Sequence, residues 1–148
     1  MFIGEFVYSV DNKGRIVLPP AFRSLLRGRI YVMKGFEHSL AVYDEREWEK
    51  LQKKYAELSE FEVSHRNLKR KIFSGTTDVV LDKQGRIKVP QVQLAHAEID
   101  KEVVIVGVYT HIEIWAKERW DAFSNSDENE IDILAAKVNE DIKRIRRD

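Results

Sequence analysis

Apolar and polar residues alternate with a period of two on either side of two similar polar turns. Phe6, Tyr8 and Val10 lead into Asp11-Asn12-Lys13-Gly14, and Ile16 and Leu18 lead out. Val79 and Leu81 lead into Asp82-Lys83-Gln84-Gly85, and Ile87 and Val89 lead out. A period of two marks half-buried strands, so each stretch predicts a hairpin. Asp-x-x-Gly suits a type I turn with Asp first and Gly fourth. The carboxylate accepts from the backbone two residues on, and the glycine takes the left-handed conformation of a hairpin bulge. Turn geometry alone accounts for Asp11, Gly14, Asp82 and Gly85.

Between and beyond the turns the period changes. Pro19-Pro20 close a strand and open a helix through Ala21, Phe22, Leu25 and Leu26, ending near Gly28. Ile30–Met33 and Leu40–Tyr43 read as strands around a turn at 35–39. Asp44 with Glu47 forms a capping box, and the helix it opens sets Trp48, Leu51, Tyr55 and Leu58 on one stripe. Ser59 with Glu62 predicts a second cap, opening a helix with Phe61, His65, Leu68 and Ile72 on one face. In the second half, Gln91–Ala97 and Lys117–Phe123 read as helices, and Val103–Val106 and Ile112–Trp115 as strands. After a break at 124–127, Ile131, Leu134, Ala135, Val138, Ile142 and Ile145 make an apolar helical stripe. That stripe could pack on its own chain, dock on a neighbouring subunit or fray.

The similarity of the two turns extends into a repeat. Phe2-x-Gly4 and the motif Asp11 to Pro19 return as Phe73-x-Gly75 and Asp82 to Pro90, each pair 71 positions apart. Gly35, Tyr43 and Trp48 match Gly107, Trp115 and Trp120 at an offset of 72, so one residue is inserted between. Two copies are too few for a solenoid. Two separate domains of about 70 residues would each have a marginal core. The repeat predicts a pseudo-symmetric, interlocked pair: a first module over 5–47, a helical connection over 48–75, a second module over 76–119 and a C-terminal helical extension over 120–148.

Turn geometry leaves the basic residues unexplained. Arg15 falls on the strand face opposite Ile16 and Leu18, and Arg86 and Lys88 oppose Ile87 and Val89. Lys13 and Arg15 on one tip, and Lys83, Arg86 and Lys88 on the other, point away from the core. A solvated face would tolerate Lys, Gln or Thr as readily, yet Arg follows both turns at the same place. Net charge is zero, with 25 basic and 25 acidic residues, which does not suggest a generic nucleic-acid binder. The charges are segregated, however, with basic clusters at 11–29 and 66–71, and a dipolar surface can focus field on one face.

Other chemistries find little support. No cysteine is present, which excludes disulfides and thiolate metal sites. His38, His65, His96 and His111 do not show metal-ligand spacing, so no metal or cofactor is expected. No phosphate-cradling glycine loop occurs. The aromatics follow apolar periodicities and read as core, and nothing asks for catalysis or a small-molecule substrate. With no signal peptide and no apolar run near 18 residues, the chain reads as soluble and intracellular.

The doubled Asp-x3-Arg motif, Phe2-x-Gly4-Glu5, Phe73-Ser74-Gly75, Asp82 to Ile87, and Val106-Gly107 with Ile112-Glu113-Ile114-Trp115 resemble the MraZ family from Met1 to about Trp120. These are bacterial transcriptional regulators built of two AbrB-like (SpoVT-AbrB) modules. The resemblance implies an α+β fold, a double-split β-barrel with swapped hairpins and packed helices. It also implies a cytoplasmic, nucleoid-associated homo-oligomer, a ring, on double-stranded DNA. The family binds G-rich direct repeats upstream of the division and cell-wall gene cluster and regulates its own operon. Arg15 and Arg86 would then contact bases, Lys13 and Lys83 phosphates, with Arg23, Lys88 or the 66–71 cluster as further candidates. Asp11 and Asp82 would hold the turns and orient the arginines. The alternative is an antitoxin that binds its promoter and covers a toxin with the C-terminal segment.

Overall fold

The leading strand of each half pairs outside its own half. In the computed structural model, which describes residues 1–147, β1 (Glu5–Ser9) is antiparallel to β7 (Glu102–Val108). Likewise β5 (Thr77–Val79) is antiparallel to β3 (Ile30–Lys34). The strands after the two turns, β2 (Arg15–Val17) and β6 (Arg86–Lys88), pair with each other. With β4 (Leu40–Asp44) and β8 (His111–Ala116) at its centre, the larger sheet runs β1-β7-β8-β4-β3-β5.

The sequence pattern predicts two local hairpins, and the structure keeps only their tips. Between the arms of the first, a single bridge, Val10 to Ile16, survives next to the turn. The reason lies in the buried face. Ile16 sits directly opposite Ile87, and both are fully buried, so β2 covers its apolar side against the other half.

This pairing follows the sequence repeat. Adding 72 maps β3 and β4 onto β7 and β8, and the order of the large sheet reads the same from either end. Ala41 lies opposite Glu113, its own counterpart, and Ile16 lies opposite Ile87, its own counterpart. A pseudo-two-fold axis therefore passes through both sheets.

Strand alternation sorts the core into layers. Ile30, Val32, Leu40, Val42, Val103, Ile105, Ile112 and Ile114 face inward and meet Ile16, Leu18, Ile87 and Val89. On the other face of β3 and β4, Met33 and Ala41 pack with Trp48 of α2 (Glu45–Ala56) and Ile72 of α3 (Val63–Ser74). Tyr31 stacks on Trp48 with ring centroids 5.2 Å apart. The predicted cap of α2 is present, with the Asp44 carboxylate accepting from Glu47 N–H at 2.9 Å.

One helix length and one helix start differ from expectation. α1 (Pro20–Arg23) is a single turn, because Leu25 and Leu26 continue with i to i−3 bonds of 3.0 and 3.4 Å before Ile30 opens the next strand. The Ser59 cap does not form. Ser59 Oγ accepts from Phe61 N–H at 3.1 Å in a local turn, α3 starts at Val63 without a side-chain cap, and Phe61 is exposed.

The second half departs from the first where α3 meets β5. Phe2 is buried and bridges Tyr109 by two backbone bonds of 2.9 Å, whereas its counterpart Phe73 still belongs to α3. Gly75 C=O then needs a donor. Gln93 of α4 (Gln91–His96), fully buried where the first half has Phe22, donates Nε2 to Gly75 O at 3.0 Å and to Val32 O at 2.9 Å.

The chain divides into two compact units, Met1–Lys117 and the segment from Glu118 onward. The second holds α5 (Lys117–Asn125) from Glu118 on, then a 3-10 turn (Asp127–Asn129) and α6 (Ile131–Arg147). The predicted tail helix forms, and none of its residues is buried.

Candidate nucleic-acid interface

Both tips adopt the turn their sequence requires. Asp11 C=O accepts from Gly14 N–H at 3.1 Å, and the Asp11 carboxylate accepts from Lys13 N–H at 2.9 Å. At the second tip, Gly85 N–H and Gln84 N–H bond Asp82 in the same way at 3.0 and 2.9 Å. Gly14 and Gly85 have φ of 79° and 76°, the left-handed region that favours glycine. The tips also brace one another across the axis: Val89 N–H donates to Gly14 O, and Leu18 N–H donates to Gly85 O.

The same carboxylates fix the arginines. Arg15 donates to Asp11 from its backbone N–H at 2.8 Å and from Nε at 2.6 Å. Arg86 repeats both bonds to Asp82, at 2.9 and 2.7 Å. The Arg15 backbone N–H does most to hold Asp11 below the usual carboxylate range. The guanidinium and Lys13 N–H add to this, against some desolvation. Asp82 is lowered in the same way, led by Arg86 N–H.

The tip arginines are less outward than strand alternation predicts. Their side chains are 29% and 23% exposed, because each folds back onto its aspartate. Binding through Nε leaves the Nη atoms without a hydrogen bond among the described residues. Arg86 Nη1 lies 4.0 Å from Asp11 Oδ2, so the two motifs meet on one face of the β2–β6 ribbon. Lys13, Lys83 and Lys88 are exposed and make no ion pair among the described residues. The arrangement presents two pre-oriented guanidinium forks flanked by exposed ammonium groups.

The other basic residues are differently employed. Lys69 pairs with Glu60, Arg66 Nη1 donates to Glu60 O at 2.8 Å, and Arg70 donates to Asn67. Much of the 66–71 cluster therefore secures the loop before α3. Arg23 reaches the second tip, donating to Gln84 O at 3.4 Å. The histidines are structural in placement. His96 and His38 tie the 35–39 turn to α4, His65 accepts from Ser59 N–H, and His111 opens β8, stacked on Tyr43 at 4.5 Å.

Both halves match the model of the MraZ protein family, described as antitoxin-like, over residues 1–71 and 72–144. Among curated relatives, a protein of Halothermothrix orenii is 41% identical over 136 residues, covering 92% of this chain and 95% of its own. Another, of Desulforamulus reducens, is 41% identical over 138 residues, 93% and 97% of the two chains. A third, of Dictyoglomus thermophilum, is 43% identical over 129 residues, 87% and 88%. All three bear the name transcriptional regulator MraZ. With the family model matching twice and these relatives aligned along most of their length, the chain belongs to the MraZ family.

Proposed function

We propose that this protein is a DNA-binding transcriptional regulator that reads double-stranded DNA in the major groove through Arg15 and Arg86. The carrying observation is the doubled Asp–Arg clamp. Each aspartate takes the Nε hydrogen bond and leaves the Nη side of the guanidinium for O6 and N7 of guanine. Holding the fork in place beforehand removes rotamer entropy that would otherwise oppose binding. Lys13 and Lys83 anchor phosphates on either side. The names of the relatives support the regulatory role, and the cross-half pairing of β1, β2, β5 and β6 supports a double-split barrel with swapped hairpins.

In this reading the target is the chain's own division and cell-wall operon, marked by G-rich direct repeats. Several copies, arranged as a ring, would engage successive boxes, with the uncovered apolar stripe of α6 available for contacts between subunits. The family's antitoxin-like description keeps a toxin-covering role for α6 as the alternative. Light scattering on the purified chain alone separates them, since a self-assembling protein needs no foreign partner. No helix among the described residues is long and apolar enough to cross a membrane.

The decisive experiment is a gel-shift titration on duplexes enriched from a random pool by the full chain. Arg15→Ala and Arg86→Ala should each weaken the selected duplex by about 1–3 kcal/mol per module engaged and relax its preference for guanine. Folded variants that bind as tightly as the parent would exclude the tips as the reading surface.

A further inference from the structure

The backbone of the two tips obeys the pseudo-two-fold, but the cations beside them do not. Arg23 and its counterpart 71 residues on, Leu94, are one such break; Val17 and Lys88 are another. Arg23 lies across the second tip. Its Nη1 donates to Gln84 O at 3.4 Å, and a Cβ placed on Gly85 would run into its guanidinium. Among the described residues no cation backs the first tip in this way. There Leu94 is buried, and a cavity of about 470 Å³ opens beside residues 11–14, lined by Lys88, Leu94 and Asp100 among others. Lys88 is exposed and stands directly opposite Arg15 on the ribbon, whereas Arg86 stands opposite the apolar Val17.

Each tip thus has one basic neighbour that the other lacks, and the two neighbours differ chemically. Arg23 is a guanidinium that lies over the second tip with Nη1 3.4 Å from a backbone carbonyl, suited to a two-point phosphate contact. Lys88 is an ammonium on a flexible stem, suited to a looser one. A surface with true two-fold symmetry would bind a box equally well in either direction. This one would not.

We infer that the β2–β6 ribbon is a directional reading head: Arg23 at the second tip and Lys88 at the first bind backbone phosphates on opposite flanks of an asymmetric box, and so fix one orientation of the chain on DNA. The inference rests on the DNA reading proposed above and adds which residues set polarity. Each of these phosphate contacts accounts for about one unit of the salt slope of log affinity, and its loss weakens all duplexes alike.

The absence of cysteine makes a direct test available. Asn12→Cys and Gln84→Cys, both at exposed tip positions, each receive a tethered iron chelate that cleaves nearby DNA. The probe is a duplex bearing one asymmetric box enriched from a random pool. With the parent ribbon, the Asn12 tether should cut one flank and the Gln84 tether the other. In the Arg23→Leu/Lys88→Val background, either tether should cut both flanks, and the salt slope should fall by about two. Arg23→Lys alone should keep most of the slope, which separates lost charge from a folding defect. Cutting of both flanks by either tether in the parent would overturn the inference, as would polarity as strict after the double substitution as before it. If neither tether cuts and the unlabelled chain enriches no duplex, the DNA reading itself fails, a result distinct from binding without polarity.

Discussion

At each tip one carboxylate does three things. It closes the turn by accepting from the residue two positions on, it receives the backbone N–H of the arginine, and it holds that arginine's Nε. Arg15→Lys therefore loses more than a donor pattern: an ammonium can neither keep the Nε tie nor fork onto a guanine, so it should bind selected DNA worse than the parent at equal charge. The aspartates also give the fold an acid limb. A carboxyl whose folded pKa is depressed contributes stability that is fully present above its ordinary value near 3.8 and is lost as pH falls through the lower folded value. The melting temperature of the parent should fall below about pH 4. That of Asp11→Asn/Asp82→Asn should start lower at neutral pH and fall less steeply, measured by scanning calorimetry from pH 2 to 7. Parallel curves would mean that the ties contribute nothing to stability. The two turns were legible in the sequence because Asp-x-x-Gly is local. The folding back of Arg15 and Arg86 was not, since alternation assigns a face but not a rotamer.

At the scale of elements, the same Phe-x-Gly signature ends up in two different structures. Phe2 completes a strand edge, while Phe73 extends α3 and meets Trp48 edge-on at 6.3 Å. Ile72, buried in the cluster with Met33 and Trp48, keeps that segment helical through Ser74. A repeat in sequence could not reveal this, because the choice depends on what α2 and α3 pack against. Gln93 answers the consequence by donating to two carbonyls in a fully buried site. Gln93→Leu should therefore cost about 1–3 kcal/mol in urea unfolding, the penalty of leaving buried acceptors unpaired. Gln93→Glu should cost more, because it sets a carboxylate against two carbonyl oxygens. A Leu variant as stable as the parent would show that those carbonyls are satisfied by the strand ladders alone. The failed Ser59 cap has a similar origin: Ser59 bonds Phe61 N–H and its own N–H donates to His65, so the motif serves the turn.

At the scale of the whole molecule, the repeat offset gave the interlocked pair, but not which strand crosses. Period two reads equally well for a hairpin folded on itself and for one opened toward its copy, and only the burial of Ile16 against Ile87 decides. The crossing leaves neither half with a finished sheet. Residues 1–60 would keep β3 and β4 but expose both long edges, with β1 and β2 unpaired; residues 61–148 would keep β7 and β8 in the same condition. Two paired strands with uncovered apolar faces are marginal in water, and open edges invite pairing with another chain. Cutting between Glu60 and Phe61, in an exposed loop, leaves α2 and α3 each whole and parts only contacts between the halves: the strand ladders, the packing of Ile72 on Met33, Ala41 and Trp48, and the ties of Ser59 and Glu60 to α3. Each fragment by itself should give a poorly dispersed amide spectrum or associate with itself. Mixed at equal concentration, the two should regain the dispersion of the intact chain, because every broken ladder is between fragments and closing it buries Ile16, Leu18, Ile87 and Val89 again. A first fragment that is monomeric and well dispersed without its partner would show that a half satisfies its own edges, and the dependence of each half on the other would have to be abandoned.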